Sequence, residues 1–133
     1  MKRAIIAVLL FVLVSSFGQA ATAADNNLSV IQPVMQKMPA AMKVLQDKFT
    51  AKDYFGTAEK FMDIAGMFKS LESVIPDNGD KANWDRIHQS MINTAFMGIG
   101  ACGTKDDKTI AQAIEKLGKY KEEGHKLFIK QSD

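Results

Sequence analysis

The sequence predicts an all-α protein, an antiparallel up-down-up-down four-helix bundle. Three observations point there. After the first two dozen residues, apolar side chains recur at spacings of three and four; the alternation that marks strands is scarce; and short turn-forming stretches separate four amphipathic segments.

The chain begins "MKRAIIAVLLFVLVSSFGQAATAAD", which has the layout of an export signal. Lys2 and Arg3 form a positive n-region, and an apolar run follows from Ala4 to Phe17, broken only by Ser15 and Ser16. Ala21 and Ala23 supply the A-x-A pattern of a cleavage site. The run is short for a membrane span of about 20 residues, so an uncleaved anchor is the weaker alternative. The expected division is a signal peptide at 1–23 and one helical domain at 24–133, delivered to the periplasm with no membrane association after cleavage.

The first helical segment is "SVIQPVMQKMPAAMKVLQDKF", with Met35, Met38, Met42 and Leu45 on one face. Pro33 suits a first helical position. Pro39 lacks an N–H and crowds the carbonyl of Met35, so the helix is expected either to kink or to become regular only from Pro39.

The second segment, "FTAKDYFGTAEKFMDIAGMFKSLESVI", places Tyr54, Ala58, Phe61, Ala65 and Phe68 on one face. Thr50 and Asp53 resemble a capping box at its start, and "IPDNGD" ends it with turn residues. The third is expected to begin near Asp80 or Asn83. It carries Trp84, Ile87, Met91 and Ala95, and its exit "FMGIGACG" holds three glycines that weaken the last turns. Thr104 and Asp107 repeat the Thr-x-x-Asp start. Ile110, Ala113, Ile114, Leu117, Lys121, Gly124 and Phe128 then follow at helical spacing, with Lys121 and His125 on or beside the buried stripe.

Composition narrows the function. Without Lys2 and Arg3 the chain carries 15 basic and 15 acidic residues, and no stretch interleaves basic with aromatic residues, so nucleic acid is not an expected partner. The single cysteine, Cys102, cannot form an internal disulfide. It either packs as a small apolar residue or pairs two chains into a homodimer. No G-x-S-x-G or phosphate-binding loop is present, and an enzymatic role is not expected. A di-iron bundle needs Glu-x-x-His on two helices. Glu122 and His125 supply one, but His88 is preceded by Asp85, and the first two helices offer only Glu59 and Glu72 at poorly matched depths. Met35, Met38 and Met42 could bind copper(I) through their thioethers if they cluster outward, whereas inward they would fill the core.

An exported four-helix bundle with His125 on its last helix and Phe128 three residues later resembles the cytochrome b562 and cytochrome c-prime superfamily. In the c-prime branch the histidine ends a Cys-x-x-Cys-His motif. Here the window reads "KEEGH", with Lys121 and Gly124 in place of the cysteines, which excludes covalent haem. The b562 branch uses a methionine on the first helix, followed seven residues later by a segment like "MKVL", which sets Met35 at the ligand position. Leu117 matches a core leucine of that branch, the start "ADNN" is similar, and Trp84 and His88 fall where aromatics flank the haem. The arginine of that branch four residues after the histidine is Ile129 here.

The resemblance implies one non-covalent haem b held by Met35 and His125. Trp84, His88, Lys121 and Phe128 would lie around it, and His88 could serve as a second nitrogen ligand. It implies one-electron transfer with a redox partner protein that the residues do not identify. A His/Met pair gives a higher potential than two nitrogens. The alternative is a bundle of the same architecture without a cofactor, acting through its surface.

Overall fold

The computed structural model describes residues 23–75 and 80–128, and it is a four-helix bundle of up-down-up-down order. Its helices are α1 (Ala23–Thr50), α2 (Tyr54–Lys69), α3 (Lys81–Thr104) and α4 (Asp107–Phe128). Most of the expected signal peptide, the Pro76–Gly79 turn and Ile129 lie outside the described residues. No helix among the described residues is long and apolar enough to cross a membrane.

Of the two expectations for α1, the late start is corrected. The helix does not wait for Pro33 or Pro39 but begins at Ala23 and runs through both. The two rings are exposed, so the carbonyls that lose an N–H partner to proline are free to meet water. Of the methionines on its face, Met38 is buried, and Met35 and Met42 are half-buried against the core. Leu45 is fully buried one turn further on.

At the start of α2, Asp53 is itself the cap. Its carboxylate accepts the Gly56 N–H at 2.9 Å and pairs with Lys48 at 2.9 Å, so the Thr50 box is not the device used. The helix ends at Lys69, earlier than the pattern suggests. Residues 70–74 continue as tight turns, with the Leu71 N–H bonded to the Phe68 carbonyl and that of Val74 to the Leu71 carbonyl. This winding keeps Leu71 and Val74 buried.

Asp80 caps α3 by accepting from the Asn83 N–H. The three glycines at its exit do not break it. Gly98 is required where it stands, because an added Cβ would fall 2.4 Å from Cζ of the fully buried Phe61. The helix closes on Lys105 in the left-handed conformation, φ 55°, whose N–H reaches back to the Ala101 and Cys102 carbonyls. Asp106 then opens α4 by accepting from Thr109 N–H and Oγ1–H. Asp107, rather than serving as a cap, accepts from Tyr54 Oη at 2.9 Å and Lys52 Nζ at 2.5 Å, which ties the α1–α2 turn to the α4 start.

The main core runs through all four helices, from Met38 and Leu45 on α1 through Phe61, Ile64 and Phe68 on α2 and Met91 and Ala95 on α3 to Ile110 and Leu117 on α4. Cys102 is buried within it. Each helix packs extensively on its chain neighbour. The seam between α1 and α4 is the exception: their backbones come close at few points, although both helices contribute buried side chains to the core.

Candidate functional site

A second apolar cluster sits at one end of the bundle. Its buried members are Leu71, Val74 and Trp84, with Ile31, Val34, Met35 and Phe128 packed around them. α1 contributes its early turns, α2 the turn beyond its end, α3 its first turn and α4 its last residue. Met35 of α1 and Phe128 of α4, the two helices of the loose seam, therefore pack against the same cluster.

Trp84 organises the cluster. Its indole N–H donates to the Leu71 carbonyl at 3.2 Å, so the tight turn after α2 provides the polar partner a buried tryptophan requires. Phe128 meets the indole edge-on, with ring centroids 5.0 Å apart and planes at 84°. His88, one turn along α3, packs against the indole with ring centroids 4.2 Å apart and planes at 33°. Phe68 packs against the imidazole at 5.4 Å.

His88 is only 3% exposed. Its Nδ1 lies 2.7 Å from the Trp84 carbonyl oxygen, which can only accept, so Nδ1 carries the proton. Nε2 is then left with a lone pair, and it is buried with no hydrogen-bond partner among the described residues. A buried acceptor in that state costs about 1–3 kcal/mol. Burial pushes the imidazole below its ordinary pKa; the Trp84 carbonyl and Asp85 act in the opposite direction. Beside it lies an open cleft of about 540 Å³, lined by His88, Glu72, Lys81, Asp85, Arg86 and Gln89.

The residues expected to hold a cofactor are thus distributed unevenly. Met35, Trp84 and Phe128 are brought together, and His88 joins them through Trp84. His125 is exposed, one turn before Phe128, and Lys121 is half-buried a turn before that. No side-chain hydrogen bond or ion pair holds the His125 ring among the described residues. Between them, Glu123 pairs with Arg86 and anchors this end of α4 to α3.

The sequence pattern missed the orphaned Nε2. The only signal for it was the four-residue spacing from Trp84 to His88, which places the two on one face. Met38 and Met42 pack inward, so they do not form the outward methionine cluster that copper(I) would use. Among the described residues no group of three or more histidine, cysteine or acidic side chains is placed to hold a metal.

Comparison with known proteins found no family model, no curated protein and no solved structure that matches the chain.

Proposed function

We propose that the chain is a haem b protein of one-electron transfer, exported to the periplasm and similar in design to cytochrome b562. One observation carries the reading. The least-packed seam of the bundle, between α1 and α4, is bordered by Met35 on one side and Phe128 on the other, both against the aromatic cluster of Trp84. An apolar seam that can part without breaking an extensive interface is what insertion of a flat macrocycle requires.

The donor set fits such a group. Met35 offers a thioether, and His125 and His88 offer imidazole nitrogens. Bound haem would supply reversible exchange of one electron. The chain's own residues would fix its place. Trp84, Phe128, Val74 and Leu71 would wall it from water, and the ring of His125 would be the nitrogen ligand that the resemblance implies.

A second reading, a cofactor-free bundle that binds a partner protein, is favoured by a different observation. Trp84 already closes the cluster with its side chain 2% exposed, and Phe55, Met62 and Phe96 stand exposed on α2 and α3. Expression of the full chain with haem supplied, followed by spectroscopy and potentiometry of the purified protein, separates the two. The proposal expects one non-covalent haem per chain, low-spin reduced bands and a reversible one-electron wave. Purification without haem, with none taken up on addition, would leave the cofactor-free reading.

A further inference from the structure

We infer that two copies of this chain associate through the outer face of α2 and α3, each seating its Phe96 over Gly100 and Gly103 of the other. The inference goes beyond the haem reading and does not depend on it. From Ile87 to Thr104, α3 has no lysine, arginine, aspartate or glutamate, whereas α4 presents Lys108, Glu115, Lys119 and Glu122 to solvent. From Gln89 to Gly103 the exposed residues of α3 are Gln89, Asn93, Phe96, Gly100 and Gly103, spaced four, three, four and three apart. That is the spacing by which one helix lays a seam against another. Phe96 is 52% exposed, and on α2 Phe55 and Met62 are 78% and 49% exposed.

Both sets border one groove. Phe96 and Gly103 follow Asp85 at about three and five helical turns, and Asp85 lines the cleft that Glu72, just beyond α2, also lines. On α2, Gly56 lies close to Lys48 of α1, and helical spacing turns Phe55 and Met62 to the other flank, toward α3. At Gly100 and Gly103 nothing lies within 4 Å of an added Cβ, so each leaves a hollow one and two turns beyond the Phe96 ring. A two-fold axis crossing α3 between Phe96 and Gly103 fits each ring into the hollow of the other copy, since such contacts are reciprocal. Charge selects a second copy as the occupant. A two-fold contact sets residues near their own copies, where like charges repel, and this stripe has none. Glu59, between Phe55 and Met62, is turned away from α3 to the rim. Cys102 is buried, so the contact does not use a disulfide. The stripe runs about 21 Å at 1.5 Å per residue, and with α2 beside it the face covers about 400 Å², small for an interface. The dimer is therefore weak, forming in the micromolar range.

The test is sedimentation of the purified full chain over micromolar to near-millimolar concentrations, with Phe96→Glu, Gly103→Lys and, on the exposed face of α1, Val44→Glu. Thermal unfolding of each variant accompanies it, to show that the bundle is formed. The expected result is a monomer–dimer equilibrium that Phe96→Glu and Gly103→Lys each weaken about tenfold or more, and that Val44→Glu leaves unchanged. Mixing Phe96→Glu with Gly103→Lys should restore association, because the reciprocal contact then pairs the new carboxylate with the new ammonium and keeps one native ring-on-glycine contact. A dimer that folded Phe96→Glu leaves intact, or variants that stay apart on mixing, would overturn the assignment. A chain that is monomeric throughout would overturn it too, and would leave this face to a different protein.

Discussion

The imidazole of His88 lies 4.2 Å from the indole of Trp84 and donates its Nδ1–H to the Trp84 backbone carbonyl at 2.7 Å, so one residue fixes both the plane and the tautomer of the other. The helix supplies this geometry by itself, because residues four apart share a face. What the tertiary structure adds is burial, which leaves Nε2 with no partner among the described residues.

Burial makes the stability of the haem-free bundle pH-dependent. Its largest effect on His88 is to lower the pKa, so the unfolded chain takes up a proton more readily than the folded one. The stabilisation is fully present above the unfolded value of about 6.5 and is lost as the pH falls through that value toward the lower folded one. Urea midpoints measured from about pH 7.5 down to pH 5 should decline. The same series on His88→Phe, which keeps an aromatic ring and loses the titration, should be flatter over that range.

Asp107 gives a separate acid limb. The Lys52 ammonium and the Tyr54 hydroxyl hold its carboxyl below the usual range, so its contribution is present above about pH 4 and is lost on further acidification. Asp107→Asn should lower stability at neutral pH and reduce the slope below pH 4. Equal acid slopes in the two proteins would show that the bridge between the α1–α2 turn and α4 does not contribute.

Gly98 and Gly66 should respond in opposite directions to alanine. At Gly98 the new Cβ meets the ring of Phe61, which is fully buried and has no free space to enter. Gly98→Ala should destabilise by about 1–2 kcal/mol even after the gain in helix propensity. At Gly66 nothing lies within 4 Å of the added atom, and Gly66→Ala should stabilise by about 0.5–1 kcal/mol. Denaturant titration of the two variants checks the sign of each.

Trp84 should be the most sensitive position at its end of the bundle. Trp84→Ala removes the wall shared by Leu71, Val74, Phe128 and His88, at a cost of about 3–5 kcal/mol. Trp84→Phe keeps a ring but gives up the indole bond to the Leu71 carbonyl, and should cost about 1–3 kcal/mol. A Trp84→Ala chain as stable as wild type would mean that the second cluster is not part of the cooperative fold.

The bundle was legible because its signal is periodic: the buried face of α2 and the stripe Ile110, Ala113, Leu117 follow directly from spacing. The ends were harder, since several residues compete for each cap. Thr50 and Thr104 resembled box starts, yet Asp53 and Asp106 won because each sits where its carboxylate reaches the third N–H onward. Prolines in α1 misled for a related reason. A proline inside a helix removes one N–H and crowds the carbonyl four residues back, and whether the helix continues past it depends on tertiary packing that no local pattern encodes. The glycines of α3 read as weak helix, while Gly98 serves the ring of Phe61, a contact across two helices.

The site was legible in part. Met35, Trp84 and Phe128 lie on predicted faces and converge. His125 sits one position past Gly124, and on α4 that rotation carries it into solvent. The unpartnered nitrogen of His88 depends on what surrounds a single atom in three dimensions, and spacing cannot report that.

Trp84 is the only tryptophan in the chain, which provides the most direct test of the central claim. Its emission should be followed while haemin is titrated into the purified full chain. If haem binds at the cluster of Met35, Trp84 and Phe128, emission is quenched in proportion to added haemin and levels off at one equivalent, together with a shift of the Soret band. Emission that declines without saturation, or a saturable Soret change that leaves Trp84 emission untouched, would contradict a haem site at this end of the bundle.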